Sequence, residues 1–280
     1  MSQRANVQSA IDQGHLSPRL WLYSNYHCNL ACTYCLTESS PTSPARLLSK
    51  KQMLQLSKQA KILGFKSIGI TGGEPFLRPD LEMIVAEIAK EMPVLILTNG
   101  TLFNQRRIER MKNMLLAEHS VSLQISLDSA SAEQNDSLRG ENNFNLVAAA
   151  VPRLIAKGFH VRVAGTIDEE TPEMNEELKR LLDSWGIQEA DQIIRPVVNR
   201  GRAVSTTMGV TAGIGQLSAE LTITTSGAFW SPFGPTYNAG KLETDLLLVR
   251  RIEPLDIPVQ ALLTLFDQQP DLKSEPEGFV

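Results

Sequence analysis

Two hydrophobic periods alternate along this chain from Leu20 to Val197, and no other feature restricts its fold as strongly. Short apolar runs rich in β-branched residues occur at 20–26 (LWLYSNY), 67–71 (SIGIT), 94–98 (VLILT), 121–128 (VSLQISLD), 160–167 (HVRVAGTI) and 192–198 (QIIRPVV). Between them lie stretches with helical spacing: KKQMLQLSKQAKIL, DLEMIVAEIAKEM, NQRRIERMKNML, FNLVAAAVPRLIAK and MNEELKRLLDSW. Strands that alternate with amphipathic helices make βαβ units, and βαβ units build a parallel sheet. Six strands with five intervening helices predict an α/β fold, a partial (β/α)6 TIM-like barrel over residues 19–203. An open doubly wound sheet is the competing architecture. Pro152 is expected to kink the fourth helix or to mark its true start.

Residues 1–18 read as a short N-terminal segment, and the texture changes again after Arg202. Residues 204–280 are expected to form a small C-terminal extension. It would hold a hairpin within LTITTSGAFW (221–230) turning at Thr225-Ser226-Gly227, a helix around 256–267, and a frayed tail. The net charge of −4 argues against a chain built to hold nucleic acid. The basic face made by Arg106, Arg107, Arg110 and Lys112 therefore reads as a solvated helix surface. Phe229, Trp230 and Trp185 read as packing residues, with the first two as candidate walls of a substrate cavity. No apolar run is long enough for a signal peptide or a membrane helix, so the expected setting is cytoplasmic, with no membrane partner.

All three cysteines of the chain, Cys28, Cys32 and Cys35, fall in one short stretch, YHCNLACTYC. Clustered thiols in a reducing compartment point to metal or redox chemistry rather than to disulfides. A structural zinc site wants four ligands, and His27, His119 or His160 would have to supply the fourth. An iron–sulfur cubane also normally takes four thiolates, so three would leave one iron with an open position for a non-protein ligand. Other suggestive residues fall where predicted strands end. TGGEP (71–75) places Gly72, Gly73, Glu74 and Pro75 after the second strand, the glycines admitting a close approach and the carboxylate suiting an ammonium group. LTNGTL contributes Asn99, and QISLDS contributes Ser126 and Asp128, followed by Arg139; Thr166 ends the fifth strand. A guanidinium suits a planar carboxylate, while Asp128 is equally suited to capping the next segment. Strand C-termini form the catalytic face of (β/α) barrels.

CNLACTYC resembles the C-x3-C-x2-C motif of the radical S-adenosylmethionine (SAM) enzymes, including the aromatic Tyr34 before the last cysteine. The resemblance covers residues 19–203. It implies one [4Fe-4S] cluster on Cys28, Cys32 and Cys35, with SAM chelating the open iron and being cleaved reductively to a 5′-deoxyadenosyl radical that abstracts hydrogen from substrate. It further implies that GGEP holds the SAM amino group and that Ser126, Asp128, Arg139 and Thr166, with Tyr34 and Asn99 nearby, complete the SAM site. An electron donor such as flavodoxin or ferredoxin follows from the same resemblance. The exit segment IIRPVVNRGRA (193–203) and the following hairpin resemble members with a SPASM or twitch extension. No cysteine lies beyond Cys35, so the extension is expected to be degenerate and metal-free. Such members act on peptides or build peptide-derived cofactors; a small-molecule substrate and a non-catalytic module with a structural metal are the alternatives. Residues 1–18 are too few for a fused leader-binding domain, so a peptide would need a separate recognition protein or direct docking.

Overall fold

The computed structural model describes residues 3–168, 172–269 and 272. In chain order the elements are α1 (Gln3–Asp12), β1 (Arg19–Tyr23), α2 (Lys50–Leu63), β2 (Ser67–Thr71), α3 (Leu81–Ile88), β3 (Val94–Thr98), α4 (Gln105–Met111) and β4 (Val121–Ser126). There follow α5 (Ala132–Arg139), α6 (Asn143–Ala156), β5 (His160–Ile167), α7 (Pro172–Ser184), β6 (Gln192–Pro196) and α8 (Arg202–Thr206). The chain continues through β7 (Thr222–Thr224), β8 (Gly227–Phe229), β9 (Tyr237–Asn238), β10 (Lys241–Leu242), β11 (Leu247–Val249) and α9 (Asp256–Gln268).

Strands β1 to β6 pair in parallel and in sequential order. A doubly wound sheet reverses its strand order at a switch point, and this one never does, so the helices wind one way around a curling sheet. Period two separates its faces. Leu20, Leu22, Ile68, Ile70, Ile96, Leu123, Ile125, Val161 and Val163 are buried in the main apolar core. Their alternates Trp21, Tyr23, Thr71, Leu97, Gln124, Ser126, Arg162, Thr166 and Arg195 line an inner lumen. The apolar layer thus holds the barrel together, and the lumen wall mixes polar and apolar side chains.

Local chemistry explains the element ends. Ser49 and Gln52 form a reciprocal capping box at the start of α2, and Gly64 ends it in the left-handed conformation at φ +109°. Helix α6 starts at Asn143 and runs through Pro152, so the proline does not mark its start. The buried face of Val147, Ala150, Val151 and Leu154 carries the helix across the missing backbone donor. Helix α5 is an addition to the five expected, and its buried residues, Asn135 and Arg139, are polar.

The extension is part of the same sheet. Strand β7 pairs in parallel with β1, Trp21 opposite Thr222 and Leu22 opposite Ile223, and β8 and β11 continue the sheet outward. An exposed β1 edge would present unpaired backbone groups, and β7 removes it. The hairpin turns at Thr225-Ser226, because Gly227 already pairs with Thr224. The boundary expected at residue 203 falls inside α8, and the N-terminal segment forms α1, which packs against α2 and α9. The tail expected to fray lies, from residue 270 onward, outside the described residues except for Leu272. No described helix is long and apolar enough to cross a membrane.

Gly69 faces the lumen under the Trp21 indole, where an added Cβ would lie 2.2 Å from a ring carbon. The ring is tethered, since Trp21 Nε1 donates to Glu220 at 2.5 Å. Gly69→Ala is therefore expected to cost about 1–3 kcal/mol through overpacking. Urea denaturation checks this, and an unchanged midpoint would show that the indole has room to move.

Candidate functional site

The cysteines lie on the connection from β1 to α2, which has no helix or strand of its own, so neighbouring elements must hold it. Its first residues are held by the segment after β2. Gly73 N donates to Asn25 O and Glu74 N to His27 O, both at 2.9 Å. Asn25 Nδ2 donates to His27 O at 2.8 Å and to Glu74 O at 3.0 Å. A Cβ on Gly72 would stand 2.3 Å from Asn25 O, and one on Gly73 2.2 Å from His27 O. The close approach expected of a ligand at Gly72-Gly73 is thus made by the chain's own cysteine loop, although both glycines also line the lumen.

Glu74 lies buried behind the lumen wall. Its carboxylate is 0% exposed and accepts from Phe76 N at 3.0 Å, Thr98 Oγ1 at 2.8 Å and Asn99 N at 2.8 Å. Burial raises its pKa, against those three donors. The side chain does not line the lumen, and Pro75 opens a buried 3-10 turn behind it. Glu74 ties β3 to the post-β2 turn, leaving backbone rather than carboxylate for any ammonium group there.

The three cysteines are unbonded to one another and line the same lumen, a cavity of about 750 Å³. Cys28 is buried, and its Sγ accepts from Leu30 N at 3.4 Å and from Asn99 Nδ2 at 3.7 Å. Burial pushes its thiol up to about 12. Burial also raises Cys32, against the nearby charge of Arg139. Cys35 Sγ lies 3.6 Å from Thr37 Oγ1. Among the described residues no three His, Cys, Asp or Glu side chains converge tightly enough to hold a single metal ion. Three free thiols on one lumen suit a cubane that takes one thiolate per iron and leaves the fourth iron to another ligand. His160 pairs with Asp191 at the far ends of the strands, and His27 Nδ1 lies 3.1 Å from Ser43 O.

Asp128 is the second anchor of the loop. Buried at 2% exposure, it accepts from the Tyr34 hydroxyl, from Arg139 Nη1 at 3.1 Å and from Thr166 N at 3.0 Å. Ser131, not Asp128, caps α5. Burial drives the Tyr34 phenol well above its ordinary value. Burial opposes the charge of Arg139, but Tyr34 and Asp128 lift its pKa well above normal. Arg139 lines the lumen and keeps one buried, unpartnered nitrogen, Nε. That orphan donor beside three thiols, Ser126 and Thr166 fits a ligand bearing a carboxylate.

Sequence reasoning missed the third anchor, Arg202. Its Nη1 donates to Cys32 O at 2.7 Å, its Nη2 to Ser39 O at 2.5 Å, and its backbone N to Cys35 O at 3.0 Å. Gly201 before it, at φ +62°, leaves no space for a Cβ, which would stand 2.4 Å from Leu36 O. The extension adds a fourth hold: Ala239 N and Gly240 N each donate to the Glu38 carboxylate at 2.9 Å, and Tyr237 N donates to Leu36 O at 2.9 Å. The GRA motif was visible, but nothing in its spacing indicates that it grips the cysteine loop. Phe229 and Trp230 are buried packing residues outside the lumen wall.

The family model described as the radical SAM superfamily matches residues 22–182. The mycofactocin maturase MftC of Mycobacterium ulcerans is 32% identical over 163 residues, covering 58% of this chain and 43% of its own. The antilisterial bacteriocin subtilosin biosynthesis protein AlbA of Bacillus subtilis is 34% identical over 150 residues, covering 52% of this chain and 32% of its own. Streptococcus suis SuiB bound to S-adenosylmethionine shares the fold at TM-score 0.59 and 18% identity, over 76% of this chain and 48% of that one. The chain spans less than half the length of these curated relatives.

Arg202→Ala removes two charge-assisted bonds from the cysteine loop, each worth about 1.5–3 kcal/mol. Hydrogen exchange of residues 32–39 is expected to quicken about ten-fold or more, with the β1–β6 amides unchanged. Wild-type protection in that loop would remove Arg202 from its anchors.

Proposed function

The chain belongs to the radical SAM superfamily, and we propose that it binds one [4Fe-4S] cluster through Cys28, Cys32 and Cys35. It would bind S-adenosylmethionine in the adjoining lumen and act in the maturation of a peptide or peptide-derived product. The observation that carries this reading is the opening of three unpaired thiols onto one lumen at the C-terminal strand ends.

That pair of cofactors supplies reductive cleavage of a sulfonium and hydrogen-atom abstraction, and the chain supplies the setting. Leu30 N–H and Asn99 Nδ2 stabilise negative charge on the Cys28 sulfur. Arg139 offers its free Nε to a carboxylate, while Ser126 and Thr166 offer hydroxyls where a ribose would sit. The Gly72-Gly73 backbone walls the same space. Asp128 fixes Tyr34 and Arg139 so that neither swings when a ligand enters.

Support for maturation comes from relatives named as a maturase and as a bacteriocin biosynthesis protein, and SuiB has also been solved bound to the precursor peptide SuiA. A low-potential donor such as flavodoxin or ferredoxin would deliver the electron. The cytoplasm would keep the thiols reduced. Residues 204–280 would serve as a metal-free extension.

Anaerobically reconstituted protein is expected to hold about four irons per chain, as one cubane requires. A content of roughly seven or more would overturn the metal-free extension. The reduced protein should convert SAM to 5′-deoxyadenosine and methionine, and Cys32→Ala should abolish this. Cleavage that survives in Cys32→Ala would refute the assignment.

A further inference from the structure

Among the described residues, not every charged side chain that lines the lumen finds a partner. Arg195, on β6, lines it with no hydrogen bond and no ion pair on its guanidinium among the described residues. Burial lowers its pKa, while Tyr34, Glu220, Asp128 and Tyr23 favour its charge. Arg19, at the start of β1, lies 5.3 Å over the Trp21 ring and leaves its Nε buried without a partner. Glu220 also lines the lumen; both arginines act on it, yet it pairs with neither and holds the Trp21 N–H instead. Arg162 is matched by Asp191 and Arg139 by Asp128. Among the described residues, Arg19 and Arg195 therefore face the lumen region with no ion-pair partner.

A half-buried guanidinium that faces a chamber with its donors free of protein partners is a ready fork for a planar anion. We propose that Arg195 is a substrate subsite for a single carboxylate. A carboxylate presents two coplanar oxygens to that fork, which is the geometry a guanidinium pairs with bidentately. The proposal rests on the reading of the lumen as the chamber for substrate and cofactor. It narrows that reading to substrates that present a carboxylate, from an acidic side chain or a free C-terminus.

The test measures binding of short peptides to the reconstituted protein, with and without SAM, by equilibrium dialysis. The probes are acetyl-Gly-Glu-Gly-amide, its Gln counterpart, acetyl-Gly-Gly-Gly with a free carboxylate, its amide, and inorganic phosphate. At least one acid should bind about ten-fold or more tightly than its amide, and which acid does so names the source. Arg195→Gln should erase the difference, Arg195→Lys should keep part of it, and Arg106→Gln on the exposed face of α4 should leave it intact. Acid and amide binding alike, as expected if lumen water alone satisfies Arg195, would overturn the proposal. So would tighter binding of phosphate, absence of binding up to roughly 10 mM, or an Arg195→Gln variant that loses SAM affinity but keeps acid discrimination. No turnover is needed, so acid discrimination in protein that fails to cleave SAM would sink the enzymatic reading and leave the carboxylate site standing.

Discussion

Gly72 and Gly73 admit the backbone of Asn25–His27 to distances that no side chain would tolerate, and that contact sets where the cysteines stand. The loop has no ladder of its own, so its backbone groups must find partners elsewhere or be left unsatisfied. They find them on β2's exit, on α5 through Thr33 N and Leu138 O, on Arg202, and on the hairpin turn that holds Glu38. Ligand geometry at a metal cluster tolerates about 0.5 Å of error, which a free loop would exceed. Four separate anchors over so short a stretch turn an irregular segment into a rigid one.

The extension shares in this. Its hairpin joins the barrel edge at β1, and Arg200 fastens it from the other side, with Nη1 and Nη2 on Asp245 at 2.8 and 2.7 Å and an ion pair to Glu243 at 2.9 Å. Tyr237 meets Tyr26 edge-on at 5.5 Å and lies under Arg46 at 4.8 Å. A segment without cysteines of its own therefore helps to fix those of the loop.

The βαβ order was legible because apolar period is a local property. SIGIT, VLILT and HVRVAGTI match β2, β3 and β5 residue for residue, and KKQMLQLSKQAKIL matches α2. The cysteine spacing was legible for the same reason. Helix α5 was not, since it buries Asn135 and Arg139 instead of an apolar face. The direction of the Glu74 side chain, the occupant of the space at Gly72-Gly73 and the grip of Arg202 all depend on partners dozens of residues away. Sequence shows that such residues are unusual; it does not show what they face. Pro152 misled because its local penalty is real and tertiary burial outweighs it.

The buried polar groups then sort by whether the protein itself completes them. Glu74 receives three protein donors, and Asp128 receives Tyr34, Arg139 and the Thr166 amide; both are fully engaged and hold elements together. Arg139 is engaged on one side and open on the other, which places it between the cysteine anchor and the lumen. Among the described residues Arg195 has no partner, although Glu220 lines the same lumen and would have closed the pair had the fold brought them together. A buried charge filled by protein contacts serves the fold, because removing a partner leaves a penalty the structure must absorb. One left open inside a chamber is free to meet water or a ligand, and the progression from Glu74 through Arg139 to Arg195 runs from groups the protein completes to one it leaves open within a single barrel.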